Sequence, residues 1–262
     1  MRHALPPIAA PDPHATHARD GHCGGMRHVP QCPESGPPRR RCAAAREGDH
    51  MSQDGSQTGS MDRGPIVRRD QIPVLVVHLI ALPAFTLLFL SRQNYEFLLY
   101  IGVIVVFLAL IVTTNRRVAY PTQLLWGLTG WALLHMGGGG IFLGGDRLYG
   151  IMLIPISTRY NILRYDQFVH IVGFGVATAV MYHLLLPSLA SAPRRWVSLS
   201  IVVVMAGLGV GALNEIIEFA ATVIMPETGV GGYVNTSMDL VSDLVGALGA
   251  LAWIRLRARS HA

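Results

Sequence analysis

Lysine is absent from this chain of 262 residues, and charge of either sign is scarce. All 21 residues in the count of lysine and arginine are arginine, and charged residues make up only 14% of the sequence against 51% hydrophobic residues. So little charge excludes an ordinary water-soluble surface for most of the chain. The net charge of +5 would favour a nucleic-acid partner in a soluble protein, but here the arginines flank apolar runs. We therefore expect contact with membrane lipids and no nucleic-acid partner.

Cysteine is confined to the beginning of the chain, at Cys23, Cys32 and Cys42. Residues 63–262 can therefore form no disulfide among themselves and contain no cysteine nucleophile. They also lack the G-x-S-x-G, P-loop and E-x-x-H patterns, which excludes three common catalytic or cofactor-binding motifs. Residues 1–62 have no periodic apolar face, so they predict a disordered tail. The irregular spacing of cysteine and histidine in this tail does not match a zinc site.

Long apolar runs are the most prominent feature of residues 63–262, and a transmembrane helix needs about 20 such residues. Six runs qualify: 72–90, 96–113, 121–143, 167–187, 197–224 and 238–256. The sequence predicts an all-α polytopic integral membrane protein, with a six-helix transmembrane bundle after the disordered tail. The shorter apolar run at 149–156 predicts a re-entrant or interfacial piece.

The arginines predict the orientation, because positive charge is retained on the cytoplasmic side of a membrane. With six spans, four groups fall on one side: Arg63, Arg68 and Arg69; Arg116 and Arg117; Arg194 and Arg195; Arg255, Arg257 and Arg259. The opposite side holds fewer, namely Arg92, Arg147, Arg159 and Arg164. We expect a multi-pass protein of the bacterial inner membrane with both termini in the cytoplasm.

Ionisable side chains collect at one level of this predicted bundle. Because alternate helices run in opposite directions, seven residues fall in its outer half: His135, Asp166, His170, Glu215, Glu218, Asp239 and Asp243. Spacings of three and four residues put each helix's pair on one face. Charged groups inside a bilayer are costly, so such a set predicts a functional site in an outward-facing cavity.

The candidate roles follow from the chemistry of these side chains. The candidate catalytic residues are Asp166, His170, Glu215, Glu218, Asp239 and Asp243. A divalent metal ion, bound among Asp166, His170, Glu215, Glu218 and Asp243, is one interpretation, and a proton relay without metal is the other. His135, Arg159, Arg164 and Asn214 are the candidate substrate-binding residues, with the two arginines placed to meet an anionic headgroup.

Structural explanations compete with this hypothesis at several positions. Asp166 and Asp239 are predicted in first helical turns, where a carboxylate is favoured by the helix dipole, and Ser237 is predicted as an N-cap. Gly137 to Gly140 are expected to loosen or break the third helix beside the site. Close helix packing is the alternative for that run, and it is the preferred interpretation of the glycines at 207, 211, 246 and 249.

A family resemblance rests on four strings: His135-Met-Gly-Gly, Arg164-Tyr-Asp-Gln-Phe-Val-His170, Asn214-Glu-Ile-Ile-Glu218-Phe and Asp239-Leu-Val-Ser-Asp243. They resemble the YjdF-like family of uncharacterised bacterial inner-membrane proteins, and more loosely the VanZ-like family. VanZ-like sequences tend to carry Gln where this chain has Glu218, so a role in glycopeptide resistance does not transfer. The resemblance implies a multi-span fold with the same polar positions, and no activity.

Three functions remain open at this stage. The first is metal-assisted chemistry on a lipid or lipid-linked substrate at the outer leaflet. The second is a small transporter or ion-coupled carrier that uses the same residues as its cation site. The third is a membrane scaffold whose polar network only holds helices together. The sequence does not decide whether the protein is an enzyme.

Overall fold

The computed structural model describes residues 65–157, 159–189 and 195–260 of the chain. The predicted tail at 1–62, with its cysteines and histidines, lies outside the described residues, as do Arg63 and Arg194. Within the described ranges the main helices are α1 Ile72–Ser91, α2 Tyr95–Val118, α3 Thr122–Gly140, α4 Tyr165–Leu185, α5 Trp196–Ile224 and α6 Tyr233–Ser260. Each one overlaps an apolar run that predicted it. The separation into a tail and a helical region from residue 63 stays a prediction.

Five of these helices, all except α3, are long and apolar enough to cross a membrane. The outer faces of α1 and α5 carry large apolar side chains such as Leu79, Leu87 and Val197, which are between 64% and 74% exposed. Apolar exposure on this scale is typical of helices that face lipid rather than water. The 19-residue α3 is not among the five, so the count of six spans stays a prediction.

Local chemistry fixes the helix ends on the side opposite the predicted site. Gln71 lies just before α1 and is 3% exposed, and its Oε1 accepts a 2.6 Å hydrogen bond from Nδ2 of Asn115 near the end of α2. Its Nε2 donates to the carbonyl of Tyr120 at 3.0 Å. α2 ends at Val118, because the next residue, Ala119, has a left-handed φ of 52° that cannot continue the helix. These bonds join α1, α2 and the start of α3.

α4, α5 and α6 pack against one another through small residues. A Cβ atom added at Gly246 would lie 2.3 Å from the carbonyl oxygen of Ile171, so α6 touches the backbone of α4. A Cβ atom at Gly207 would lie 2.0 Å from Oγ1 of Thr178, so α5 packs tightly against a side chain of α4. Contacts of this kind are typical of helix interfaces in membranes. They match the packing interpretation for Gly207 and Gly246. They also hold the three helices that carry most of the predicted site residues.

The glycine run of α3 does not break the helix, so the prediction that it does is wrong. Gly137 to Gly140 are helical and buried, and α3 ends only after Gly140. A Cβ atom at Gly139 would lie 2.1 Å from the ring of Phe97, and one at Gly138 would lie 2.6 Å from the ring of Tyr149. The run therefore serves close packing against aromatic rings, which outweighs the low helix propensity of glycine.

α6 begins five residues earlier than its apolar run predicts, which corrects two interpretations. Ser237 lies inside the helix and is not its N-cap, because its hydroxyl donates to the carbonyl of Tyr233 at 2.8 Å. Asp239 lies in the second turn and is 0% exposed. The helix-start explanation for this carboxylate is therefore removed.

The segment between α3 and α4 forms two short hairpins. β1 Phe142–Leu143 pairs with β2 Asp146–Arg147, and β3 Met152–Ser157 pairs with β4 Ile162–Arg164, both antiparallel. The apolar run at 149–156 is therefore mostly strand, and its re-entrant or interfacial position stays a prediction. The second hairpin leads directly into α4, which places its last residues beside the start of that helix.

Candidate functional site

His170 of α4 lies at the centre of a buried group of carboxylates. Its Nδ1 lies 2.9 Å from Oδ1 of Asp243 on α6, which is hydrogen-bond distance. Its Nε2 lies 3.8 Å from Oδ1 of Asp166, one turn earlier on α4. Asp243 is 0% exposed and His170 is 5% exposed, so the contact between α4 and α6 is sealed from solvent. The imidazole therefore has a different carboxylate partner on each of its two nitrogens.

One set of possible ligands consists of Asp166, His170 and Asp239. Each offers one ligand atom, and the three atoms lie within 4.8 Å of one another. Asn235, one turn before Asp239 on α6, donates from Nδ2 to Oδ2 of Asp239 at 2.5 Å and to Oδ2 of Asp166 at 3.4 Å. Oδ1 of Asp239 is buried and has no hydrogen-bond partner. The amide therefore orients two carboxylates while one oxygen stays available to a cation.

A second set consists of His170, Glu215 and Asp243, and all three residues are buried. Both carboxylate oxygens of Glu215 and Oδ2 of Asp243 lack a hydrogen-bond partner. α5 reaches this set through Gly211, where an added Cβ would lie 2.1 Å from Oδ2 of Asp243. Gly211 therefore makes room for a carboxylate, a role that a packing interpretation alone does not include.

A cavity of about 420 Å³ adjoins the first set. Its lining comes from α2 to α6 and from the loops that precede α4 and α6. It includes Glu96, Phe97, Tyr100, His135, Asp146, Arg147, Tyr149, Arg164, Asp166, Glu218, Gly229 and Asn235. Asp166 and Asn235 belong both to this lining and to the surroundings of His170. Glu218 accepts a 2.9 Å hydrogen bond from Nδ2 of Asn214. The cavity therefore gives a molecule access to one side of the carboxylate group.

Aromatic side chains form one wall of the cavity. The hydroxyl of Tyr149 lies 2.5 Å from Nδ1 of His135, and the ring of His135 lies 5.5 Å from that of Trp131. Removal of Tyr149 from water, followed by the nearby Asp166 and Glu218 charges, raises the pKa of its hydroxyl well above the usual value. Tyr149 therefore stays protonated and is a hydrogen-bond donor at neutral pH.

Glu96 and Arg147 line the cavity and were missed by the sequence-based predictions. Oε2 of Glu96 accepts a 2.7 Å hydrogen bond from the backbone of Gly229 and lies 3.6 Å from Nη1 of Arg147. This carboxylate thus joins the start of α2 to the loop between α3 and α4 and to the loop between α5 and α6. A buried Glu in the first turn of a helix is a weak signal, because that position alone favours a carboxylate. Its partners are distant in the sequence and cannot be identified from it.

The predicted site residues fall into three positions. Five of them form two groups that share His170, one with Asp166 and Asp239 and the other with Glu215 and Asp243. Three line the cavity, namely His135, Arg164 and Glu218, and Asn214 contacts Glu218. Arg159 lies apart, with its guanidinium 5.3 Å from the ring centre of Tyr160. Asp239 joins the possible metal ligands, a role not predicted for it, while Glu218 is in neither ligand set.

The arrangement matches the chemistry of a divalent metal site. A metal-bound imidazole generally donates its other N–H to a carboxylate, which fixes the tautomer, and Asp243 is placed to accept that hydrogen bond. Nε2 of His170 then presents a lone pair towards Asp166. Two carboxylates and one imidazole are a donor set for Zn²⁺, Mn²⁺ or Fe²⁺, and three protein ligands leave a coordination position for substrate or water.

A family of predicted membrane proteins (DUF2238) has a sequence model that matches residues 73–260, which is most of the chain. The chain belongs to this family. Nothing among curated proteins or solved structures matches it. The residues around His170 and those that line the cavity all lie within the part that matches the DUF2238 family.

Proposed function

We propose that the chain is a metal-dependent membrane protein that acts on a lipid or lipid-linked substrate in the cavity beside His170. The divalent cation is bound by Asp166, His170 and Asp239, and Asp243 supports the imidazole from the other side. The observation that carries this proposal is the double contact of His170, with Nδ1 on Asp243 and Nε2 towards Asp166. The cation polarises a substrate oxygen or lowers the pKa of bound water.

Charge balance supports a cation at this position. Four carboxyl groups of α4, α5 and α6 lie close to a single imidazole, and several of their oxygens have no hydrogen-bond partner. Buried charges of one sign are stable only when they are paired, protonated or bound to metal. A divalent cation neutralises two of these groups at once and uses the oxygen of Asp239 that has no partner.

The proposal includes a topology of six spans, with α3 as the third and both termini in the cytoplasm of a bacterial inner membrane. The distribution of arginine supports it. Reporter fusions after Arg117 and Arg195 should report the cytoplasm, and fusions within 145–160 or near Gly231 should report the exterior. Reversed sides would move the cavity to the inner leaflet and contradict the proposed substrate side.

Within its family the chain is proposed to be YjdF-like, with the looser VanZ-like similarity in its last three helices. The four strings that carry this resemblance contain His135, Asp166, His170, Glu215 and Asp243, which lie in or beside the site. The proposed activity therefore concerns the part of the sequence that carries the resemblance.

The test is metal analysis of the purified protein after equilibration with Mn²⁺ and Zn²⁺ and removal of free metal. The wild-type protein should retain about one equivalent, and Asp166→Asn should retain much less, because it loses a charged ligand. Asp146→Asn is the matched control, since Asp146 is an exposed residue at the cavity and belongs to neither ligand set. Equal retention by all three proteins, or none by the wild type, would contradict the proposal.

A carrier is the second candidate. It is favoured by the second ligand set, His170, Glu215 and Asp243, in which all three residues are buried. Glu215 and Asp243 offer a cation or proton a second position beside His170, where Asp243 faces Nδ1 and neither carboxylate lines the cavity. Movement between two such positions is a step that a carrier needs and that a hydrolytic site does not. Uptake of Mn²⁺ or protons into proteoliposomes, lost in Glu215→Gln, would favour the carrier. If neither metal retention nor uptake is found, the scaffold becomes the better account.

A further inference from the structure

The residues that lead into α4 adopt a strained conformation. Leu163 has a φ of 70°, in the left-handed region that residues other than glycine rarely occupy. Oε1 of Gln167, which is 4% exposed, accepts hydrogen bonds from the backbone of Leu163 at 2.6 Å and of Arg164 at 3.3 Å. Nε2 of the same side chain donates to the carbonyl of Asn161 at 3.1 Å. One buried amide therefore holds the whole turn.

Strain of this kind costs about 1–3 kcal/mol and persists only where the surroundings impose it. Here the strained turn determines the position of Arg164, which lines the cavity and lies two residues before Asp166 in the sequence. Nε of Arg164 is buried and has no hydrogen-bond partner. A guanidinium group generally uses its donors on carboxylate or phosphate oxygens. Arg164 therefore presents an unused donor beside the proposed metal.

Arg147 adds a second guanidinium to the same cavity. Its Nη1 lies 3.6 Å from Glu96, which is longer than a hydrogen bond, and its side chain is 41% exposed. The pair is thus loose, and Arg147 can also contact a bound anion. Four carboxylates line the cavity as well, at Glu96, Asp146, Asp166 and Glu218. An anion is repelled by these groups unless a cation neutralises some of them, so its binding requires metal.

A second, mostly apolar crevice of about 320 Å³ indicates which kind of molecule the bound anion belongs to. It shares no lining residue with the cavity and lies about one helical turn further towards the cytoplasmic helix ends of the proposed topology. Ile104 of α2, Trp131 of α3 and Phe174 of α4 line the crevice. Each lies one helical turn from a polar residue of the cavity or the ligand sets, respectively Tyr100, His135 and His170. Phe107 and Leu110 line the crevice and are 39% and 53% exposed, so it opens towards lipid. A hydrocarbon chain matches this crevice, and a polar headgroup matches the cavity above it.

We propose that the substrate is a phosphate ester carried on a lipid, with its phosphate bound between the metal and the guanidinium groups of Arg164 and Arg147. This inference rests on the proposed function, because it assigns the substrate class of the same metal site. Arg164 is the main anchor and Arg147 the secondary one. Gln167 is a positioning residue that keeps Arg164 in place.

The test uses Mn²⁺-loaded protein in maltoside detergent, which contains no phosphorus, and two probes: phosphatidic acid and glycerol 3-phosphate. Pulsed electron–nuclear double resonance should detect a ³¹P coupling to Mn²⁺ when phosphatidic acid is added. Glycerol 3-phosphate should give this coupling only at much higher concentration, because it lacks the hydrocarbon chains. Similar concentration dependence for both probes would overturn the lipid part of the proposal.

Three arginine variants test the anchor. Arg164→Gln should weaken phosphatidic acid binding roughly 10- to 100-fold, as expected for loss of hydrogen bonds to a charged group. Arg147→Gln should weaken it less, and Arg159→Gln, the matched control on the same loop, should not change it. Gln167→Ala should resemble Arg164→Gln while Mn²⁺ affinity is retained. Loss in Arg159→Gln equal to that in Arg164→Gln would overturn the proposal, since only general attraction to the surface would remain.

Failure of this inference and failure of the metal site have different signatures. Bound Mn²⁺ that is sensitive to Asp166→Asn but shows no ³¹P coupling with either probe would overturn the phosphate substrate and leave the metal site standing. Absence of bound Mn²⁺ would overturn both. Unchanged folding of the variants is checked by their thermal unfolding midpoints in the same detergent.

Discussion

The two sides of His170 differ in access and in hydrogen bonding. On the cavity side, Asp166 and Asp239 share the amide of Asn235, and Asp166 reaches the cavity lining. On the sealed side, Glu215 and Asp243 are buried, and both oxygens of Glu215 and one of Asp243 lack hydrogen-bond partners. The same imidazole thus connects two oriented carboxylates, of which Asp166 lines the cavity and Asp239 is buried behind it, with two buried carboxylates that do not line the cavity.

This difference indicates a division of roles. A ligand set that opens to a cavity through one member, here Asp166, and is oriented by a polar neighbour is typical of a metal site that exchanges substrate or water. A sealed carboxylate on the far nitrogen of a histidine is typical of a group that fixes the ring and adjusts its basicity. We therefore assign binding to the cavity side and support to the sealed side, and the substitutions below separate the two.

The largest difference should come from the two aspartates of α6. Asp239→Asn removes a charged ligand on the cavity side and should weaken Mn²⁺ binding by about 100-fold or more, above the roughly 10- to 100-fold typical of an outer-shell partner. Asp243→Asn should fall within that lower range, because the amide oxygen can still accept a hydrogen bond from Nδ1. Titration of Mn²⁺ into both purified variants measures this. A greater loss in Asp243→Asn would reverse the assignment of the two sides.

A smaller effect is expected from the amide that orients the cavity side. Asn235→Ala removes the donor to both Asp239 and Asp166 and should weaken Mn²⁺ binding by about tenfold, as expected for hydrogen bonds to charged groups. Ser237→Ala is the matched control, because this hydroxyl on the same helix bonds only to the carbonyl of Tyr233. Equal affinities in the two variants would show that Asn235 does not orient the ligands.

On the sealed side, Gly211→Ala should disturb Asp243 without touching the cavity. Its Cβ would lie 2.1 Å from Oδ2 of Asp243, and overpacking of this kind costs about 1–3 kcal/mol. We expect a thermal unfolding midpoint lower by a few degrees and a severalfold loss of Mn²⁺ affinity. Gly209→Ala, two residues away, meets nothing within 4 Å and should unfold at or slightly above the wild-type temperature. A stable Gly211→Ala protein would contradict the close approach of α5 to α6.

No effect on either side is expected from removal of the first 60 residues. Their sequence has no pattern that forms a core, so a chain starting at Met61 should insert into the membrane and bind Mn²⁺ as the full chain does. Membrane fractionation and the same Mn²⁺ titration check this. Loss of insertion or of affinity would show that the tail contributes to the site or to its assembly.

The helices could be predicted because hydropathy alone determines where a chain is apolar enough to be helical in a membrane. The starts of α4 and α6 were less predictable. α6 extends back through Asn235 and Ser237, polar residues that are stable there because they bond to Asp239 and to the helix itself. Hydropathy treats such residues as the end of a span, and so it placed Asp239 at a helix start.

The candidate site was predictable where the spacing within one helix carries it, as for Asp166 and His170. Contacts between distant residues were not, which is why Glu96, Arg147 and Gln167 were missed. Glu96 and Gly229 are joined across 133 residues, and Gln167 acts on a turn that has no sequence signature. The glycine run of α3 was misinterpreted for the same reason, since its aromatic partners, Phe97 and Tyr149, come from other elements.

A spectroscopic measurement on one nitrogen tests whether His170 is a metal ligand. Electron spin echo envelope modulation of the Mn²⁺-loaded protein should show a ¹⁴N coupling from a single directly bound imidazole. This coupling should be absent in His170→Ala and unchanged in His183→Gln, whose native ring lies at hydrogen-bond distance from the carbonyl of Val118, away from the site. Tightly bound Mn²⁺ without a ¹⁴N coupling, or a coupling that persists in His170→Ala, would contradict a metal site at His170.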